Sequence, residues 1–154
     1  EMTISGLKDI LLEKQYAIVI YKSNASVYVS NDRGVTPLIR LLKDNKIQLK
    51  EALVADKVIG KAAALLMVYA GVKEVYTPII SVPALQVFNN HNIIINYDKI
   101  VERIINRNGD GLCPMETLCI DIESPETAFD ILSQKIWLPR LTFYEKSRWK
   151  FIGF

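Results

Sequence analysis

Ala52-Leu53-Val54-Ala55-Asp56-Lys57-Val58-Ile59-Gly60-Lys61-Ala62-Ala63-Ala64-Leu65-Leu66-Met67-Val68-Tyr69-Ala70-Gly71 is the stretch on which the fold turns. Ala52–Ala55 reads as a short apolar strand. It runs straight into Asp56 and a helix reaching about Ala70, closed by Gly71 as a left-handed cap. Val75–Ile80 is a second apolar strand. Ser81-Val82-Pro83 then opens a short helix that ends near Asn89-Asn90, and Ile93–Tyr97 is a further strand. Strands alternating with helices imply a mixed sheet covered on both faces.

The pattern continues on either side of this segment. Thr3–Lys14 has apolar residues at helical spacing. Tyr16–Tyr21 and Ser26–Ser30 are β-type runs joined by a turn that begins at Ser23-Asn24, which makes a hairpin. Thr36-Pro37 starts a helix, where proline's missing N–H costs nothing. Ile100–Ile105 is a short helix or an extended piece. Pro114 opens a helix to about Ile120, and Ser124-Pro125-Glu126-Thr127 opens another to about Ile136. No repeat or linker interrupts the chain, so residues 1–154 are expected to form one domain.

Composition narrows the function. The chain has 154 residues, half of them hydrophobic, and a net charge of +2. That suits one packed core and argues against nucleic acid as the partner. No apolar run reaches the roughly 20 residues that span a membrane. No basic-then-apolar signal segment is present, which predicts a cytoplasmic protein with Cys113 and Cys119 as free thiols. The only histidine is His91, in a turn-like Asn89-Asn90-His91-Asn92 cluster, and the cysteines lack zinc spacing. No metal and no cofactor are therefore expected.

Two polar segments carry the candidate chemistry. In the first, Asp56 reads as an N-cap. Lys57 and Lys61 then stand four apart on one helix face, with Gly60 between them. Like charges and a glycine both cost a helix stability, so a use for that face is implied. Two ammonium groups at a positive helix end suit a phosphate. The plainer reading is a solvated basic edge. In the second, Asn106-Arg107-Asn108-Gly109-Asp110-Gly111 forms a loop before Cys113-Pro114-Met115-Glu116. Cys113 and Glu116 have capping-box spacing. A helix-start cysteine favours thiolate, and Arg107 adds to that, so Cys113 is a candidate nucleophile or redox thiol. The plainer reading is a small buried side chain. Cys119 reads as core. Arg33-Gly34 is a third helix-start turn. The aromatic and basic tail, residues 137–154, is expected to pack on its own domain or on a second subunit.

These segments together resemble a family of uncharacterised prokaryotic proteins with a cytidine deaminase-like fold. The resemblance rests on Asp56-Lys57-x-x-Gly60-Lys61-Ala62-Ala63-Ala64, Ile80-Ser81-x-Pro83-Ala84-Leu85 and Asn106-Arg107-x-Gly109-x-Gly111-x-Cys113-Pro114-Met115-Glu116. It runs from about residue 16 to residue 136. It implies a three-layer α/β/α sandwich around a mixed five-stranded sheet. Zinc deaminases open one core helix with His-x-Glu and the next with Pro-Cys-x-x-Cys. Neither motif is present here, so what the resemblance implies is the place, two helix starts facing one pocket. The expected function is zinc-independent binding of a nucleotide or related phosphorylated small molecule. Asp56, Cys113 and Glu116 would be the reactive groups, and Lys57, Gly60, Lys61, Ser81, Asn106 and Arg107 the binding residues. The rivals are a non-catalytic interaction domain, assembled as a homo-oligomer through the tail, and a thiol-redox enzyme using Cys113.

Overall fold

A computed structural model describes residues 2–22, 26–32, 34–45, 49–136 and 149–151. The element order is α1 (Ile4–Lys14), β1 (Ile18–Lys22), β2 (Ser26–Ser30), α2 (Thr36–Asn45), β3 (Leu53–Asp56), β4 (Val58–Ile59), α3 (Lys61–Ala70), β5 (Glu74–Ser81), α4 (Val82–Asn90), β6 (Ile94–Val101), α5 (Pro114–Cys119), α6 (Pro125–Lys135) and β7 (Trp149–Phe151). Arg33, the Ser23-Asn24 turn, residues 137–148 and residues 152–154 lie outside the described residues.

Among the described residues, seven strands form one mixed sheet that does not close. β1 runs antiparallel to β2 and to β3, and β7 runs antiparallel to β2. β3 and β4 lie in turn along one side of β5, both parallel to it, and β6 lies parallel along the other side. Seven strands thus fill six places, where the resemblance implied five. The additions are β7 on the β2 edge and the β4 segment beyond Asp56.

Strand alternation separates two cores. Ile18, Ile20, Val54 and Val75 point into the larger one, beneath α2, α3, α4 and α6. Val19, Tyr21, Ala55 and Tyr76 point to the opposite face, where Leu7 and Leu11 of α1 cover them. Period-two side chains on a strand make this division automatic. α3 is buried almost all round, which fits its Ala- and Leu-rich sequence.

The helix expected from Asp56 starts later than its sequence pattern implied. Asp56 ends β3, Lys57 is the gap, and Val58-Ile59 continue the strand direction as β4. The register is unchanged across the gap, with Ala55 opposite Tyr76 and Val58 opposite Ile79. Pro78 falls at the interruption. It has no N–H to donate, and the β6 ladder also skips it, passing from Tyr97 to Lys99. Gly60, not Asp56, is the N-cap of α3. β6 is longer than expected. It runs through Ile100-Val101, and only an isolated bridge, Ile105 to Leu112, follows before α5.

Candidate functional site

A cavity of about 790 Å³ opens where β3, β4, the start of α3 and the 104–116 segment meet. Its lining includes Asp56, Lys57, Gly60, Asn106, Arg107, Cys113 and Glu116, which come from two segments far apart in sequence. Val35, Val58, Ile104, Ile105, Pro114 and Met115 supply much of the remaining wall. An apolar hollow with a few convergent polar groups is the usual form of a small-molecule site.

Asp56 lies deep in it, only 7% exposed. Its carboxyl accepts hydrogen bonds from the backbone N–H groups of Val58 and Lys57. Burial pushes its pKa up to about 8, against the pull of those two donors. The Lys57 N–H is shared, since it also donates to the Ala17 carbonyl at 3.0 Å. At neutral pH the group is thus mostly a carboxylic acid, able both to donate and to accept.

Glu116 does something its capping-box spacing did not reveal. Its carboxylate reaches from α5 to the start of α3, accepting from Lys61 N–H at 2.6 Å and Ala62 N–H at 2.9 Å. It caps a helix other than its own. Cys113, the N-cap of α5, makes no side-chain cap bond. The anion place at the start of α3 is therefore filled by the protein's own carboxylate. Gly60 makes the approach possible, because a Cβ there would fall on the Glu116 carboxylate. Its backbone is extended, which any residue adopts, so it is space and not conformation that requires glycine. Gly60→Ala is expected to cost about 2 kcal/mol by overpacking, read from urea unfolding.

The two lysines part company. Lys57 is exposed and donates to the Gln15 carbonyl at 3.3 Å. Lys61 is 8% exposed, and its Nζ donates to the Ile120 carbonyl and to Glu123, each at 3.0 Å. They do not share a helix face, since Lys57 precedes β4 and Lys61 opens α3. Lys61 ties α3 to the α5–α6 connection and does not line the cavity. Ser81 is fully buried, caps α4 by accepting from Ala84 N–H, and also lies outside the lining.

The loop after β6 is shaped by its own bonds. Asn106 accepts from Asp110 N–H and donates to the Asp110 carboxylate, and Gly109 takes φ 76° at the tip. Arg107 is exposed at the cavity rim. Cys113 is half-buried in the cavity wall, whereas Cys119 is fully buried in the core. Burial pushes the Cys119 thiol up to about 11, with the Glu116 charge adding to it. Among the described residues, no group of three His, Cys, Asp or Glu side chains could hold a metal ion, and no helix is long and apolar enough to cross a membrane.

No curated protein matches the chain. The crystal structure of TM1506, a DUF1893 family protein from Thermotoga maritima, is similar to it with a TM-score of 0.75 and 31% sequence identity. That similarity covers 86% of this chain and 88% of the other. Residues 6–136 match the family TM1506, described as a domain of unknown function, DUF1893. The chain belongs to the DUF1893 family.

Proposed function

We propose that the cavity binds a nucleotide or a related phosphorylated small molecule, without zinc, in a deaminase-like domain. The observation that carries this reading is the convergence of Asp56, Cys113 and Arg107 on one largely apolar hollow. Its walls suit a flat ring. Asp56 at depth can exchange a hydrogen-bond pair with the ring's donor–acceptor edge. Arg107 at the rim suits the phosphate, because a guanidinium offers several donors to phosphate oxygens. This moves the phosphate away from the start of α3, where Glu116 already holds the N–H groups.

The deaminase-like part of the proposal rests on the two helix starts. α3 and α5 both begin at the cavity, as the metal-bearing helices of zinc deaminases do at theirs. Deaminase zinc does not suit the residues found there. Gly60-Lys61-Ala62 and Pro114-Met115-Glu116 offer one carboxylate between them, and it is spent on capping α3. The reading is therefore of binding, with Asp56 as the group that holds or moves a proton.

Calorimetric titration with AMP, CMP, GMP and UMP, and with the matching nucleosides, tests it. At least one nucleotide should bind. Arg107→Ala should weaken that nucleotide roughly 10- to 150-fold, the worth of a charge-assisted bond of about 1.5–3 kcal/mol, and leave its nucleoside almost unaffected. The reading is lost if none of the four binds, and the phosphate is misplaced if Arg107→Ala makes no difference.

A further inference from the structure

β5 carries a proline in the interior of the sheet. Its strand has β3 and β4 along one side and β6 along the other. Proline is normally confined to edges, strand starts and bulges, because it has no N–H for the ladder. Around Pro78 the ladder is open on both sides. Toward β3 and β4, pairing stops at Ala55–Tyr76 and resumes at Val58–Ile79. Toward β6 it stops at Tyr97 and resumes at Lys99. The same fault turns the strands over. Val75 and Ile80 are five apart, yet both are buried in the larger core, and so are Val54 and Ile59. In a regular strand, residues five apart face opposite ways. Thr77, fully buried, holds the fault from within. Its hydroxyl donates to the Ile79 carbonyl at 2.9 Å and accepts from the Ile79 N–H at 3.3 Å, occupying backbone groups that a regular ladder would use.

Ladder faults of this kind cluster beside functional sites, where they re-aim a side chain. The side chain next to this one is Asp56. Its carboxyl lies in the cavity and accepts from the Val58 N–H, while the Lys57 N–H between them is also drawn to the Ala17 carbonyl on the β1 side. We propose that Pro78 is a positioning residue of the cavity: with Thr77 it keeps this part of the sheet open, and the opening leaves the Val58 N–H on the Asp56 carboxyl. An N–H at position 78 would need an acceptor, and the open ladder is the place to find one. Closing the ladder would draw Asp56–Val58 onto β5 as one strand running from β3 into β4. The Val58 N–H would then leave the carboxyl, and the deepest polar group of the cavity would lose a donor that fixes its direction. The inference rests on the reading of the cavity as a ligand site, but its first test needs no ligand.

Pro78→Val supplies the N–H with a side chain that strands favour. Carbon-13 NMR of the carboxyl groups, with Asp56 assigned through Asp56→Asn, should show the Asp56 titration midpoint displaced upward by about one unit, the worth of one hydrogen bond to the charged form. Affinity for whichever nucleotide binds the wild type should fall roughly tenfold. The α-hydroxy acid analogue of valine at position 78 keeps the side chain and has no N–H, so the resulting ester should titrate as wild type. Thr77→Val releases the Ile79 groups and should displace the midpoint in the same direction, which gives a second reading if Pro78→Val does not fold. An Asp56 titration unmoved in every variant that folds overturns the proposal, and so does an ester that behaves like Pro78→Val. If the titration moves as expected and no nucleotide binds any form, the ligand reading fails and the positioning of Asp56 by Pro78 stands.

Discussion

Glu116→Ala is expected to lower the free energy of unfolding by about 3 kcal/mol. Two backbone donors, Lys61 N–H and Ala62 N–H, lose a charged acceptor at once, and hydrogen bonds to charged groups are worth about 1.5–3 kcal/mol each. The carboxylate also opposes the positive end of α3. No other side chain replaces it, because the N-cap is Gly60. Cavity water can reach the freed donors, which keeps the cost nearer one strong bond than two. Glu116→Gln should cost about half as much, since the amide keeps one acceptor. Once the carboxylate is gone, Gly60→Ala has nothing to strike, so the double variant should cost less than the two single changes added. Urea unfolding of the four proteins measures all of this. A change under about 0.5 kcal/mol for Glu116→Ala would mean the cap contributes no more than an ordinary surface contact.

Stability should fall as pH rises from about 4 to about 8, and Asp56 is the cause. Its carboxyl has an ordinary value of 3.8 and is raised to about 8 in the folded protein, chiefly by burial. Below the lower value both states hold the proton and its contribution is constant. Between the two, the unfolded chain has released its proton while the folded chain keeps it. The unfolded state therefore binds fewer protons and gains on the folded state as pH increases. Above about 8 both are ionised and the slope ends. Each unit of displacement is worth about 1.4 kcal/mol, and cavity water lowers the sum, so a loss on the order of a few kcal/mol is expected. Asp56→Asn cannot ionise. The difference between wild type and Asp56→Asn should widen through this window in favour of the variant, and a difference that stays flat with pH would place the carboxyl in a wetter setting than its burial implies.

The sequence carried the strand–helix alternation from Thr3 to Lys135 because each element has its own period and its own end signal. Gly71 does cap α3 with a positive φ, and Ser81 and Ser124 do cap α4 and α6. The start of α3 was not legible. Asp56 followed by an apolar run looks like a cap, and nothing local shows that Pro78, on the neighbouring strand, interrupts the ladder beside Lys57. The cavity was legible as two segments, since Asp56, Gly60, Cys113 and Glu116 do converge. The assignments within it were not. Glu116 has the spacing of a local cap, yet its acceptors are used across the fold, which only tertiary contact decides. Lys61 looked like a ligand-facing charge, and Glu123 and the Ile120 carbonyl that claim it lie about 60 residues on. Gly60 could have been the clue, because a glycine that gains nothing in conformation at a helix start signals close approach by another group.

Protection of Cys113 tests the cavity most directly. Cys113 lines it and is half-buried, while Cys119 is fully buried with its thiol held protonated. A small thiol reagent should therefore modify Cys113 well before Cys119, as peptide mass spectrometry would resolve. Whichever of AMP, CMP, GMP or UMP binds should slow that modification saturably, with a half-effect at its calorimetric Kd. A nucleotide that binds tightly yet leaves the Cys113 rate unchanged, or no nucleotide protection at any concentration, would contradict a ligand site between α3 and α5.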